Sequence, residues 1–565
     1  MKNILDGGEA ILEAFRNLDI DYIMSSPGSE WGPVWEALAR QKVGDKGGPT
    51  YLSCWHETLA VDLALGYTAA TGRLQAVLLH AGAGLLQGSM GIHGAQLSGT
   101  PMIILSGESL TYGAEQGFNP GRQWLSSLSI VGGPNRLVEP LVKWGNQATS
   151  PATLYESVVR TAEMAKRIPT GPTYLNVPVE TMLHEWTPPA KLRKVPPAPR
   201  PRAPDGDIAN VARLLVESDD PVITTEAVGR DPDGFDALVE LAELLSIPVV
   251  ESNVAGFANF PKDHPLHQGF DIQPHLADAD LVLIIRNRVP WYPPGNGPAK
   301  ATIVTVDESP FKGHMVYQDL QADMFLEGDV VASLRLLADA VRKSGFDAGK
   351  VAKRKRRWQA AHDELHKGYR SEAVEARDKN PIDPTWLCAT LGEALPGNAI
   401  YVDETTTHRG HILRHLRWNG TQNYFRVPSG LGQGLGVALG IKLANAARPV
   451  VSLIGDGALL YNPVTQSLGL AKEANLPILI VVFNNRGYRA MKNNQLSYYP
   501  DGTGAEHDLF YGAPIDGPDY AELIAPFGGV GWRVEDPVEL KSVLQEGLAA
   551  VEDGRTAIIN VVLGL

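Results

Sequence analysis

Short apolar runs recur along the chain between longer segments with helical spacing. The clearest runs are 22–24, 76–79, 102–105, 174–177, 221–224, 248–250, 281–285, 302–306, 450–454, 478–483 and 557–562. Runs of β-branched and aliphatic residues of this length are typical of strands buried on both faces of a parallel sheet. Their alternation with helical segments is typical of βαβ units. The pattern therefore predicts an α/β protein with three doubly wound parallel-sheet domains.

Two stretches of different composition separate three α/β blocks. We expect the blocks at 1–185, 205–345 and 380–565, joined by a proline-rich linker at 186–204 and a helical connector at 346–379. The connector contains five consecutive basic residues, 353–357. Acidic residues adjoin this run, which favours a solvated helix over a nucleic-acid contact.

Composition narrows the class of protein. The chain has 565 residues, which is too long for one core. Its net charge of −14 argues against a nucleic-acid or anionic-membrane partner. The two cysteines, Cys54 and Cys388, are far apart and suggest neither a disulfide framework nor a metal cluster. We find no secretion signal and no apolar run long enough to cross a bilayer, so we expect a cytoplasmic protein.

One pair of motifs carries candidate chemistry. Gly455-Asp456-Gly457 follows one strand-like run, and Asn484-Asn485 follows the next after 26 intervening residues. Ligands of parallel sheets bind beyond the carboxyl ends of the strands. Carboxylate, amide and carbonyl oxygens suit Mg²⁺, which often also binds phosphate. Each motif alone is more simply interpreted as a turn, but at this spacing the pair resembles the cofactor motif of thiamine-diphosphate enzymes.

On these motifs, the chain resembles the thiamine-diphosphate-dependent 2-oxo acid decarboxylase and acetolactate-synthase-like superfamily over nearly its whole length. Among the branches of that superfamily it resembles the benzoylformate-decarboxylase group most. The resemblance implies pyrimidine-binding, central and pyrophosphate-binding domains in that order. It also implies a lyase or carboligase that acts on 2-oxo acids or related ketones through an enamine, by decarboxylation, acyloin formation or both. In relatives the site lies between subunits, which implies a homodimer or homotetramer with a small-molecule substrate.

The resemblance assigns the cofactor residues position by position. The Asp456 and Asn485 side chains and the Gly487 carbonyl are expected to bind Mg²⁺. The expected contacts to thiamine diphosphate from the third block are Thr406, Thr407, Leu431, Gly455, Asp456, Gly457, Ala458, Asn485, Gly487 and Tyr488. A hydroxyl-rich loop before a helix is also a sound phosphate site on physical grounds, although the two threonines could equally be a helix N-cap.

Two further residues complete the expected cofactor site. Glu57 matches the glutamate that hydrogen-bonds the aminopyrimidine ring in relatives, a role that needs a carboxyl group in a dry pocket. Without the resemblance, Glu57 would be interpreted as an exposed helical residue. Leu431 matches the apolar residue that holds the cofactor in a bent shape, which is a positioning effect. Without the family it is a core leucine.

The substrate end is expected at Ser29 and His80, which match residues of the benzoylformate-decarboxylase pocket. A serine can bind a substrate carboxylate, and a histidine near neutral pKa can transfer protons. A structural role for His80 stays open. The chain also departs from its relatives, because 288–294 contains no histidine and Met491 falls where pyruvate-decarboxylase relatives carry a glutamate. With only His80 and His408 left as proton donors, we hypothesise a preference for ligation.

Several alternatives stay open at this point. The first is acetolactate-synthase-like acyl transfer. The second is a flavin-containing oxidase on the same scaffold, because the central domain of some relatives binds FAD. The third is a non-catalytic, cofactor-binding regulatory protein, against which Glu57, Asp456 and Asn485 argue. The polar segment 493–514 is either a mobile closure over the site or an ordinary surface loop.

Overall fold

A computed structural model describes residues 5–125, 128–192, 194–315, 317–428 and 431–564. The chain divides into two compact units. The first comprises 1–199, 428–446 and 461–476, and the second comprises 200–427, 447–460 and 477–565. The predicted domain boundaries remain a prediction.

The first unit contains a six-stranded parallel sheet in the order β2-β1-β3-β4-β6-β5. Its strands are β1 (Tyr22–Ser25), β2 (Thr50–Ser53), β3 (Gln75–Leu79), β4 (Met102–Ser106), β5 (Trp144–Gln147) and β6 (Pro172–Asn176). Its helices up to residue 199 are α1 (Gly7–Asn17), α2 (Gly32–Val43), α3 (Glu57–Thr71), α4 (Ala83–Ser98), α5 (Pro134–Val138), α6 (Leu154–Lys166) and α7 (Val179–Leu183). The inner strands β3, β4 and β6 are buried at every position, as their apolar sequences predict.

The second unit begins with a five-stranded parallel sheet in the order β11-β10-β9-β7-β8. Its strands are β7 (Pro221–Thr225), β8 (Val249–Glu251), β9 (Leu281–Ile285), β10 (Thr302–Asp307) and β11 (Met324–Glu327). The accompanying helices are α8 (Asp205–Glu217), α9 (Pro232–Leu245), α10 (Gln273–Leu276), α11 (Val330–Ser344) and the long α12 (Ala348–Ala376).

A third parallel sheet has the order β13-β12-β14-β15-β17-β16 and also lies in the second unit. Its strands are β12 (Ile400–Glu404), β13 (Tyr424–Arg426), β14 (Val450–Gly455), β15 (Leu479–Asn484), β16 (Val530–Val534) and β17 (Ala557–Val562). The helices of this part of the chain are α13 (Pro384–Ala394), α14 (Arg409–His415), α15 (Gly434–Ala444), α16 (Asp456–Leu459), α17 (Val464–Glu473), α18 (Arg489–Tyr498), α19 (Thr503–Glu506) and α20 (Leu540–Glu552). Of these, α15 and α17 belong to the first unit.

Glycines let α15 pack closely against α3 within the first unit. A Cβ added to Gly440 would lie 2.1 Å from the Leu63 carbonyl oxygen, and one added to Gly66 would lie 2.1 Å from the Val437 carbonyl oxygen. These distances are shorter than any real Cβ contact, so a larger residue at either position would force the helices apart. This contact fixes α3, which begins at Glu57.

The predicted fold class is confirmed, because all three sheets are parallel and helices connect their strands. Five strands were not predicted: β5, β11, β12, β13 and β16. β5, β11, β13 and β16 lie at sheet edges, and β5, β11 and β16 are only partly buried, which removes the need for a continuous apolar run. β12 is an inner strand buried at every position, but its sequence ends in Asp403-Glu404, so its apolar run is short. Residues 493–514 are not a plain loop, because α18 and α19 occupy part of the segment. Among the described residues, no helix is long and apolar enough to span a membrane.

Candidate functional site

The carboxyl ends of β14 and β15 bring Asp456 and Asn485 to the same edge of the third sheet. The two strands are hydrogen-bonded neighbours, and Asp456 is the first residue of α16. Its side chain is buried, with 2% of the residue exposed, and Asp456 Oδ2 accepts a hydrogen bond of 3.0 Å from the Gly487 amide. Burial raises the pKa of Asp456 to about 6. A carboxylate in this position is poorly solvated and would be stabilised by a cation.

Asn485 supplies the second oxygen. The residue is 3% exposed, and its Oδ1 atom accepts no hydrogen bond from any residue that the structure describes. A buried, unsatisfied amide oxygen costs about 1–3 kcal/mol unless a ligand satisfies it. The next residue, Arg486, has a φ of 56°, and this left-handed backbone precedes Gly487. Strained conformations of this kind cluster at functional sites.

This donor set fits a magnesium ion. It offers the Asp456 carboxylate and the Asn485 amide oxygen, and the Gly487 carbonyl follows two residues after Asn485. Mg²⁺ prefers oxygen ligands and usually takes only one or two carboxylates, with phosphate and water completing its shell. Among the described residues, no cluster of three or more His, Cys, Asp or Glu side chains suits a metal. A site built on such a cluster, as zinc sites usually are, is therefore not indicated by the described part of the chain.

The glycines beside Asp456 have different surroundings. A Cβ added to Gly457 would lie 2.6 Å from Cε1 of Tyr488, so the Tyr488 ring packs directly on Gly457. A Cβ added to Gly455 would meet nothing within 4 Å. Gly457 is therefore required by protein packing, whereas Gly455 faces open space. Ala458, next along α16, is buried.

Thr406 and Thr407 follow β12, the neighbour of β14 in the sheet, so they lie at the same edge as Asp456. Neither threonine is buried. Asp403 at the end of β12 stabilises the loop, because its Oδ1 atom accepts hydrogen bonds from the amide and hydroxyl of Thr405 at 2.7 and 2.6 Å. Asp403 Oδ2 accepts from Tyr424 and Arg409 at 2.8 and 3.1 Å. The two threonines are thus presented on a fixed loop.

His408 is buried next to Asn485. Its Nε2 atom lies 3.4 Å from Asn485 Nδ2, and its ring packs against Phe483. Burial, aided by the positive potential of His411 and Arg489, lowers the pKa of His408 to about 4. His408 is therefore neutral near pH 7 and is not the protonated acid that the sequence left open.

A second group of predicted residues lies in the first unit. Ser29, Glu57 and His80 follow β1, β2 and β3, which are adjacent in the sheet order β2-β1-β3. A Cβ added to Gly84 would lie 2.8 Å from His80 Cβ and 3.1 Å from Glu57 Oε1. This glycine lets the start of α4 approach both side chains. The fold therefore gathers these three predicted residues at one edge of the sheet.

Glu30 was not among the residues predicted from the sequence. Its carboxylate is fully buried, with Oε2 2.8 Å from His80 Nδ1, and Oε1 accepts a bond of 2.6 Å from the Ala81 amide. The hydrogen bond to Glu30 raises the pKa of His80 above its ordinary value, and burial opposes this shift. His80 is thus held by a carboxylate partner, and not by packing alone. No periodic pattern in the sequence marks Glu30.

Leu431 lines a cavity of about 790 Å³ within the first unit. Its walls are His56, Thr58, Leu86, Gln87, Ser89, Met90, Leu431, Gly432, Tyr461, Asn462, Pro463 and Gln466. Leu431 is therefore half-exposed at a cavity, and not the core leucine that the alternative interpretation predicted. The Asp456 group thus lies in the second unit, and the Glu57 group lies in the first.

Comparison with known proteins identifies the family. Residues 5–127 match the N-terminal TPP binding domain of thiamine pyrophosphate enzymes, 208–337 match their central domain, and 404–561 match their C-terminal TPP binding domain. The chain belongs to the thiamine pyrophosphate enzymes. It is a thiamine-diphosphate-dependent enzyme of the decarboxylase and carboligase type.

Individual members of the thiamine pyrophosphate enzymes are similar along almost the whole chain. Benzoylformate decarboxylase of Pseudomonas aeruginosa is 26% identical over 526 residues, covering 88% of this chain and 90% of the relative. Acetolactate synthase large subunit of Buchnera aphidicola (Schizaphis graminum) is 23% identical, covering 99% and 95%. The solved structure of a 4-hydroxybenzoylformate decarboxylase from Rhodococcus jostii shares the fold, with a TM-score of 0.79, 22% identity and 99% coverage of both chains.

Gly457→Ala is expected to destabilise the cofactor-free enzyme, because the new methyl group would collide with the Tyr488 ring. Overpacking of this kind costs about 1–3 kcal/mol. Gly455→Ala is the matched control and should change the free energy of unfolding by less than about 0.5 kcal/mol. Thermal or denaturant unfolding of the three proteins measures both effects. Equal stability of the two variants would contradict the packing of Tyr488 on Gly457.

Glu30→Gln is expected to lower the pKa of His80, because it removes the hydrogen-bonded negative partner that outweighs the effect of burial. The protonated fraction of His80 at pH 6–7 should therefore fall. Histidine-selective NMR titration, with Glu36→Gln as a control for loss of an exposed glutamate, measures this directly. A His80 pKa that stays at the parent value in Glu30→Gln would show that Glu30 does not control the imidazole.

Proposed function

We propose that this enzyme is a Mg²⁺- and thiamine-diphosphate-dependent lyase and carboligase that acts on 2-oxo acids. The observation that carries the proposal is the pairing of a buried, poorly solvated Asp456 with an unsatisfied Asn485 Oδ1 at neighbouring strand ends. Both groups gain from a cation. A cation there would bind a diphosphate at the sheet edge where Thr406 and Thr407 lie.

On this proposal, separate groups of residues bind the metal ion and the diphosphate. Asp456, Asn485 and the Gly487 carbonyl hold Mg²⁺, while Thr406, Thr407 and the backbone at 455–458 contact the diphosphate. Tyr488 holds Gly457 and thereby the shape of the turn. When bound, thiamine diphosphate supplies an electron sink for cleavage of the bond next to a carbonyl group.

The other half of the proposed site is the Glu57 group. Glu57 would hydrogen-bond the aminopyrimidine ring, and Leu431 would support the bent cofactor. By resemblance, the two halves of one site come from different subunits, so the smallest active unit would be a homodimer, and a homotetramer is consistent with the same interface. We place this assembly in the cytoplasm.

Proton transfer at the substrate end is assigned to His80. Glu30 holds its Nδ1 side, so Nε2 is the nitrogen left to face a substrate. Ser29 would bind the substrate carboxylate. Because His408 has a pKa of about 4 and Met491 has no proton to give, few acids are placed to protonate a product carbanion. Release of an aldehyde needs such a proton donor, so the small number of donors supports a preference for forming a 2-hydroxyketone.

The alternatives differ from this proposal in ways that can be measured. Acetolactate-synthase-like acyl transfer uses the same cofactor and gives a hydroxy acid product. A flavin oxidase would need a dinucleotide at the carboxyl ends of the five-stranded central sheet. At that edge Arg286 forms ion pairs with Glu308 at 2.8 Å and with Asp231 at 2.6 Å. A yellow purified protein would favour that alternative. A regulatory protein would bind the cofactor without turnover.

A panel of 2-oxo acids with thiamine diphosphate and Mg²⁺ tests the proposal. We expect CO₂ release from at least one acid, together with more hydroxyketone than free aldehyde, because few proton donors are present. Gas and product analysis from the same reactions gives the ratio. Clean stoichiometric aldehyde release would contradict the ligation preference, and an absence of CO₂ from every acid would contradict the proposed reaction.

The panel is repeated with Glu57→Gln and with Glu36→Gln as a control. Loss of the cofactor-ring carboxyl should lower turnover by about 100-fold or more, the usual scale for a general acid–base group. The control should retain full activity. Undiminished turnover in Glu57→Gln would overturn the assignment of Glu57.

A further inference from the structure

The segment between β4 and α5 is held in place by two buried carboxylates, Glu180 and its own Glu108. We define it as the described residues 107–125 and 128–133. Glu180 accepts bonds from the amide and hydroxyl of Thr111 at 3.1 and 2.8 Å, and it also accepts from Leu110 N and Ser109 Oγ. Near the other end, Glu108 Oε1 accepts a bond of 3.0 Å from the Ile130 amide. The β4–α5 segment is therefore anchored at both ends.

This segment reaches both Ser29 and the turn that follows His80. A Cβ added to Gly82 would lie 1.8 Å from the Leu128 carbonyl oxygen, so the backbone of the segment lies directly on that turn. On the other side, the hydroxyl of Ser29 donates a hydrogen bond to Gln123 Oε1. Gln123 sits in a short 3₁₀ turn, 122–125, which the buried Trp124 fixes through its bond to the Pro120 carbonyl at 3.1 Å.

The bond between Ser29 and Gln123 has a chemical consequence. A serine hydroxyl carries a single proton, and while that proton goes to Gln123 Oε1 it is not available to a carboxylate. An amide side chain offers an oxygen on one side and an NH₂ group on the other. When the NH₂ group faces Ser29 Oγ instead, the hydroxyl proton becomes free for a substrate.

We propose that Gln123 is a positioning residue that orients the Ser29 hydroxyl and so determines how the enzyme recognises the carboxylate of its substrate. The inference rests on the proposed function, and it adds a specificity role for the β4–α5 segment that the sequence did not indicate. The ligand class is an organic anion of the 2-oxo acid type. An uncharged analogue should not depend on Gln123.

Two substitutions separate orientation from simple loss of contact. Gln123→Glu keeps the acceptor oxygens, holds the Ser29 proton and adds a negative charge that repels a carboxylate. Gln123→Ala removes the partner. The controls are Gln116→Glu and Gln116→Ala, which alter an exposed glutamine of the same segment.

The measurement is equilibrium binding by calorimetry to the thiamine-diphosphate-loaded Glu57→Gln protein, in which turnover is expected to be about 100-fold slower or more. The probes are benzoylformate and its uncharged methyl ester. We expect Gln123→Glu to weaken benzoylformate by about tenfold or more, equivalent to about 1.4 kcal/mol, and to change ester binding less than twofold. Gln123→Ala should weaken benzoylformate about fivefold, the scale of one hydrogen bond. Adding Ser29→Ala to Gln123→Ala should cost no more than either change alone.

Three results would overturn the inference. The first is equal weakening of the acid and the ester, and the second is an equal effect of the Gln116 controls. The third is a failure of the loaded protein to bind benzoylformate. The proposed function fails on different evidence, namely a parent enzyme that releases CO₂ from none of the 2-oxo acids or a chain that does not bind thiamine diphosphate. Thermal unfolding of each variant confirms that it is folded before binding is measured.

Discussion

The rest of the structure depends on the burial of the Asp456 carboxylate near the Asn485 amide oxygen, which accepts no hydrogen bond from any described residue. Removing a carboxylate from water raises its pKa, and leaving an amide oxygen unsatisfied costs free energy. A folded chain keeps two such groups together when a ligand compensates for them. The neighbouring elements support this arrangement, since Tyr488 packs on Gly457 and Asp403 fixes the threonine loop.

Much of this site could be predicted from the sequence, because parallel strands impose simple rules. Strands buried on both faces are continuous apolar runs in the sequence. The residues just after such strands lie at one edge of the sheet, and this rule predicted the positions of Asp456 and Asn485. The family resemblance then supplied Glu57, Leu431 and the cofactor. The edge strands β5, β11 and β16 escaped prediction because they are only partly buried, and the inner strand β12 escaped it because it ends in two acidic residues. Helix α18 escaped it because none of its residues is buried, so it has no apolar face to detect.

The contacts that could not be predicted are those between distant side chains. Glu30 stands next to Ser29 in sequence, yet its partner is His80, on the loop after a different strand. Gln123 lies in an irregular segment and reaches Ser29 only because buried carboxylates hold that segment in place. Such pairs follow from the folded backbone and leave no periodic signal. On the proposed function, these side-chain pairs act at the substrate, whereas the strand-end residues Asp456 and Asn485 act at the cofactor.

On the proposed function, the strand ends of β14 and β15 hold a magnesium-bound diphosphate. Calorimetric titration of the cofactor-free protein with thiamine diphosphate, with Mg²⁺ present and then with a chelator in its place, tests this claim most directly. We expect saturable binding with Mg²⁺ and at least a tenfold loss of affinity, about 1.4 kcal/mol, without it. Equal affinity under both conditions, or no binding in either, would contradict it.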